Sequence, residues 1–230
     1  MLTKTAIITG AEGNLGRAVV KKFIDKGYHV IGTIHKKEDT KSVNENNVDE
    51  VELDLMQEEN CQKFVEGIVT KNKVIDVAVL TAGGFAMGDI VKTKTSDIVK
   101  QYQLNFETAY NIARPVFLQM IQQNSGRIFL IGSRQGLDIL KGKGAVAYGF
   151  SKSLLFRLAE VMNEEAKGKN VAVSVIVPST IDTPPNRESM SDAHFNNWVT
   201  ASQIADVIYF YSSEEGNAIR EPVIKMYNNS

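Results

Sequence analysis

Short apolar runs alternate along the chain with longer stretches whose apolar residues recur every three or four positions. The first pattern predicts strands buried on both faces, and the second predicts the helices that cover them. Strands are expected at Thr5–Thr9, Tyr28–Ile34, Val48–Leu53, Val74–Leu80, Arg127–Ile131, Val171–Val177 and Pro222–Tyr227. Helices are expected from Leu15 to a cap at Gly27, over 57–71, from an N-cap at Ser96 to Gln122, through Tyr148 to Lys167 with Gly168 as cap, and over 202–213. Pro115 is a candidate kink in the third of these. Segments 45–47, 85–95, 134–144 and 179–199 read as loops, and the last is long enough to act as a lid. Strict β-α alternation predicts a parallel sheet with helices on both faces. The fold class is therefore α/β: a single Rossmann-like, doubly wound domain over residues 1–230.

Composition removes several functions. The chain is 43% hydrophobic and 23% charged with a formal net charge of -1, the profile of a globular protein. It has no basic stripe for nucleic acid and no like-charge tail. No apolar run reaches the roughly 18 residues of a membrane span, and the start has no charged region followed by an apolar one. A cytoplasmic location is the resulting expectation. Cys61 is the single cysteine, so an intrachain disulfide and a cysteine-rich metal site are excluded, and an inert thiol is expected. His29, His35 and His194 lack metal-ligand spacing, and no metal is expected.

Two motifs carry chemistry. Between the first strand and first helix lie Gly10, Glu12, Gly13, Asn14, Leu15 and Gly16, with glycines three apart. Glycine lets such a turn bend and lets a pyrophosphate approach the helix N-terminus. At the end of the second strand an acid would read the free ribose of NAD, and a base would accept the 2′-phosphate of NADP. Here the strand runs into His35, Lys36 and Lys37, with no acid before Glu38. Charge therefore favours NADP(H), with NAD(H) as the second option. Ala82, Gly83 and Gly84 end the fourth strand and invite close approach of a ligand. The second motif is Tyr148 and Lys152, one helical turn apart on one face. An ammonium beside a phenol favours the phenolate and brings the hydroxyl toward acid/base work.

The ordered set Thr9-Gly10, Gly13, Gly16, Asp54, Ala82-Gly83, Asn105, Ser133, Tyr148, Lys152 and Pro178 to Thr183 resembles the short-chain dehydrogenase/reductase family over essentially the whole chain. The stretches Leu80–Phe85 and Ile181–Trp198 resemble its quinoid dihydropteridine reductase branch. The resemblance implies Tyr148 as acid/base, Lys152 as its modulator and ribose ligand, Ser133 on the substrate oxygen and Asn105 in a proton relay. It also implies Asp54 at the adenine, Ile181 and Thr183 at the carboxamide, and Leu55 and Pro178 among the other cofactor contacts. A homodimer or homotetramer is implied through the helices around 104–123 and Tyr148. The leading expectation is NADP(H)-dependent reduction of a small carbonyl compound. Reduction of a quinonoid dihydropteridine and a non-catalytic nucleotide-binding role are the alternatives. Loop 134–144 is expected to be enlarged, because Ser133 and Tyr148 stand 15 residues apart.

Overall fold

The computed structural model describes residues 3–35 and 47–229. Lys36, Lys37 and Glu38 lie outside them. Strands β1 (Thr5–Thr9), β2 (His29–Ile34), β3 (Val48–Glu52), β4 (Val77–Leu80), β5 (Ser125–Ile131), β6 (Asn170–Pro178) and β9 (Val223–Met226) form one seven-stranded sheet. Its order is β3-β2-β1-β4-β5-β6-β9, and all of its pairings are parallel. A separate two-residue pair joins β7 (Ile181–Asp182) to β8 (Val199–Thr200).

Helices α1 (Asn14–Asp25) and α8 (Ala201–Ser212) cover one face of the sheet. Val19, Phe23, Ile204 and Ile208 pack there against Ile8, Val79 and Phe129. Helices α2 (Glu58–Asn72), α4 (Thr108–Gln123) and α6 (Val146–Glu165) cover the other. Val65, Ile112 and Leu155 pack there against Ile7, Ala78 and Leu130. Each central strand is thus apolar on both sides, which is why its sequence shows no alternation. Gly27 and Gly168 follow α1 and α6 at φ +79° and +81°, the left-handed stop that glycine adopts without strain.

Four expectations are corrected. The long helix after residue 95 is two helices, α3 (Thr95–Tyr102) and α4, joined by a π-helical turn at Gln103–Glu107. Asn105 lies in that turn, so the disruption of the helical ladder falls at Asn105. Ser96 does not cap α3. Lys94 is the N-cap, and its backbone N–H donates to the Asp97 carboxylate at 2.8 Å, because an acid at the third helical position closes the first turn. Segment 134–144 is mostly ordered as α5 (Arg134–Leu137) and a 3-10 turn at Ile139–Gly142. Segment 179–199 is likewise built, from β7, α7 (Pro184–Ser189), a 3-10 turn at Phe195–Asn197 and the start of β8. Local caps explain it: the Thr183 hydroxyl accepts from Asn186 N–H, and Trp198 is buried.

Candidate active site

The C-terminal ends of β1, β2 and β4 open onto a cavity of about 400 Å³. Gly10, Glu12, Gly13, His35, Asp54, Leu55, Ala82 and Gly83 line it, which brings together eight of the sequence-predicted cofactor residues. The glycine turn is closed on itself. Gly10 has φ +60°, and a Cβ on Gly16 would lie 2.0 Å from the Gly10 carbonyl oxygen. Thr81 Oγ1 donates to Thr9 O at 2.5 Å, and the Ala82 N–H donates to Thr9 Oγ1 at 3.2 Å. These bonds lock the β1 and β4 ends side by side as the cavity floor. The cavity has the glycine cradle, helix N-terminus and flanking apolar walls that a dinucleotide's adenosine half requires.

Other predicted cofactor residues fall elsewhere. Asn14 is exposed at the start of α1, while Leu15 and Gly16 turn into the core. Pro178 is buried at the end of β6. Ile181 packs on the apolar cluster beneath α8, and its carbonyl accepts from Asn186 Nδ2 at 2.8 Å. Thr183 caps α7.

The second group converges from β4, β5, the π turn and α6. Ser133, just past β5, is the N-cap of α5 and accepts from Gly136 N–H at 3.1 Å. Helix α5 then lies against α6. A Cβ on Gly136 would come within 2.7 Å of the Lys152 backbone carbonyl carbon, so only glycine permits this approach. Tyr148 on α6 faces Ser133 and stacks edge-on with Phe85, centroids 4.9 Å apart. Burial pushes the Tyr148 phenol above its ordinary pKa, and a hydrogen bond from the Ser133 hydroxyl draws it partly back. This direction is opposite to the one charge alone led us to expect. Lys152 is itself buried and donates from Nζ to Ile131 O at 2.7 Å. Burial lowers its pKa to about 8. Its Nζ stands 5.9 Å from the Tyr148 ring centroid.

Asn105 is the hub between the two groups. Its Oδ1 accepts from Gly84 N–H at 2.9 Å, and its Nδ2 reaches Gly84 O, Gln101 Oε1 and Ser151 Oγ at 3.0–3.1 Å. Gly83 has φ +152°, and a Cβ there would meet Asn105 Oδ1 at 2.6 Å. Sequence reasoning missed Gln101 and Ser151 as partners of Asn105. Their one signal was polarity on otherwise apolar helical faces. A second cavity of about 410 Å³ adjoins, lined by Phe85, Met87, Lys92, Lys100, Leu104 and Ala147 among others.

A parallel sheet in this order, with a glycine turn at the point where strand order reverses, defines a Rossmann-type nucleotide-binding scaffold. The short chain dehydrogenase family model matches residues 4–194, and the chain belongs to that family. It is 27% identical over 227 residues to 3-oxoacyl-acyl-carrier-protein reductase of Buchnera aphidicola subsp. Acyrthosiphon pisum, covering 94% of this chain and 92% of that one. It is 27% identical over 215 residues to dihydropteridine reductase of Dictyostelium discoideum, covering 92% and 89%. Among solved structures, ElxO with NADP bound superposes with a TM-score of 0.88 at 25% identity over 97% of both chains. Thermoplasma acidophilum aldohexose dehydrogenase shares the fold, with a TM-score of 0.83 at 21% identity over 97% of this chain and 92% of that one.

Proposed function

We propose that this chain, read as one NAD(P)-binding domain, is an NADP(H)-preferring reductase of a small carbonyl compound that also accepts NAD(H). The observation that carries the reading is the convergence of Ser133, Tyr148 and Lys152 beside the glycine-lined cavity. The NADP-bound relative and the basic run after β2 support the phosphate-bearing cofactor. The dinucleotide, when bound, supplies the hydride. Tyr148 supplies the proton. Its raised pKa keeps the phenol protonated at neutral pH, the acid form that reduction of a carbonyl needs. Ser133 donates to the same phenol and would orient the substrate oxygen. Lys152, held by Ile131 O, keeps a positive charge available where the phenolate develops. Asn105 holds the Gly83-Gly84 backbone that separates the two cavities.

Reduction of a quinonoid dihydropteridine is the second reading. The Dictyostelium relative favours it, as does Phe85, which is 59% exposed beside Tyr148 and offers a flat ring for stacking. The exposed apolar side chains Tyr110 and Leu118 on α4, with Phe150, Leu154 and Val161 on α6, support a homo-oligomer paired through these helices. Among the described residues no helix is long and apolar enough to cross a membrane, and a cytoplasmic enzyme is the reading we adopt. The test is a panel of β-ketoacyl thioesters, small ketones, aldehydes and a quinonoid pterin, followed by NADPH oxidation. Turnover of a carbonyl substrate supports the first reading. Turnover of the pterin alone replaces it with the second, and no turnover of any substrate removes both.

A further inference from the structure

No acid follows β2 in sequence before Glu38, yet the folded chain brings one to that place. Glu12 reaches across from the glycine turn, and its Oε1 accepts the His35 backbone N–H at 3.0 Å. His35 is the first residue after β2, the point where an acid that reads the adenosine ribose is expected. The other carboxylate oxygen, Oε2, is buried and has no hydrogen-bond partner among the described residues. Glu12 lines the cavity together with Gly13 and His35. Arg17 donates its Nε to the Glu12 carbonyl oxygen at 2.7 Å, which fixes the backbone of the turn from outside. A carboxylate with one oxygen anchored and the other unsatisfied is a preorganised acceptor for a hydroxyl donor.

We propose that Glu12 is the ribose-reading acid and the residue that limits the NADP(H) preference. Its Oε2 accepts the 2′-hydroxyl of a dinucleotide that lacks a 2′-phosphate, and its charge opposes the phosphate of one that carries it. The cofactor ratio therefore depends on the charge of Glu12. This inference rests on the dinucleotide reading of the cavity.

The test titrates NADPH and NADH by cofactor fluorescence into the wild-type protein, Glu12→Gln and Glu12→Ala at fixed ionic strength. Gln keeps an oxygen for the His35 N–H and removes the charge, so it decides the matter if the Ala variant does not fold. The expected result is weaker NADH binding and tighter NADPH binding. The affinity ratio shifts toward NADPH by about tenfold or more, the scale of one charge-assisted hydrogen bond. An equal change for both dinucleotides, or an unmoved ratio, overturns the role of Glu12 and leaves the cavity reading intact. A wild-type protein that binds neither dinucleotide overturns both.

Discussion

The Lys152 ammonium donates to the Ile131 carbonyl at 2.7 Å in a site closed to water, with no carboxylate paired to it among the described residues. A cation in such a place is stabilised by one neutral acceptor and penalised by lost hydration. Its pKa falls from 10.5 to about 8 for that reason. The fold therefore keeps a strained charge beside Tyr148.

That strain has a signature in stability. The folded pKa lies below the unfolded one, so between about pH 8 and 10.5 the unfolded chain binds more protons. The penalty is complete below about pH 8 and is relieved as pH rises. Unfolding free energy should climb from pH 8 toward 10 by up to about 1.4 kcal/mol per pH unit, before phenol ionisation intervenes. Lys152→Met should lack that climb. Urea denaturation of both proteins across this range measures it, and parallel curves would remove the strained-ammonium reading.

Tyr148→Phe removes one oxygen and keeps the ring that packs on Phe85. We expect NADPH affinity and unfolding midpoint close to wild type, with turnover reduced about 10²–10⁴-fold. Steady-state rates with the best panel substrate, alongside a fluorescence titration, separate the two effects. Turnover within a few-fold of wild type would sink the acid assignment.

Much of this arrangement was legible in the chain. The central strands β1, β2, β4, β5 and β6 stand out because burial on both faces leaves largely apolar runs, whereas the edge strand β3 carries Asp49, Glu50 and Glu52 and is only half-buried. Tyr148 and Lys152 stand out because helical spacing is a local property. What was hidden is long-range. The π turn at Asn105 sits in a stretch that reads as continuous helix, because no local breaker marks it. The approach of Glu12 to His35 spans 23 residues and depends on how the glycine turn closes. Ser133 was visible as a candidate, but not its capping of α5 or the packing of that helix on Lys152. The caps that order 179–199 are polar residues in a segment without hydrophobic period.

Asn105→Ala should loosen the partition between the cavities. It leaves the Gly84 N–H and C=O without their Asn105 partner and removes the bond donated to the Ser151 hydroxyl, which keeps only its own donation to Tyr148 O. A loss of about 2 kcal/mol is expected, which corresponds to a fall of about 4–8 °C in Tm for a chain of this size. Turnover should fall further than NADPH affinity, because Gly83 stands beside Lys152. A Tm unchanged in calorimetry would show that these bonds are not sustained in solution.

Oligomerisation can be tested on the exposed face of α6. Val161 is 55% exposed and Phe150 43% exposed. Phe150→Glu with Val161→Glu places charges in the middle of the apolar surface without touching either core cluster. Light scattering should show an oligomer for the wild type and a monomer for the double variant. An unchanged mass would place the interface elsewhere.

Gly136→Ala examines the contact on which the Ser133 and Tyr148 geometry depends. The added methyl would lie 2.7 Å from the Lys152 carbonyl carbon and 2.9 Å from Ser153 N, both backbone atoms that cannot rotate away. Either α5 lifts from α6 or α6 shifts, and overpacking of this kind costs about 1–3 kcal/mol. Ser133 begins α5 and Tyr148 belongs to α6, so a shift of either helix parts the two hydroxyls. We expect at least a tenfold loss of turnover with NADPH binding nearly unchanged, since the adenosine cavity touches neither helix. Gly144→Ala is the control for loop chemistry: it has φ +87° but open space around its Cβ, so it strains the backbone without pushing the helices apart. If Gly136→Ala retains full turnover, the spacing of α5 and α6 does not position the reacting groups.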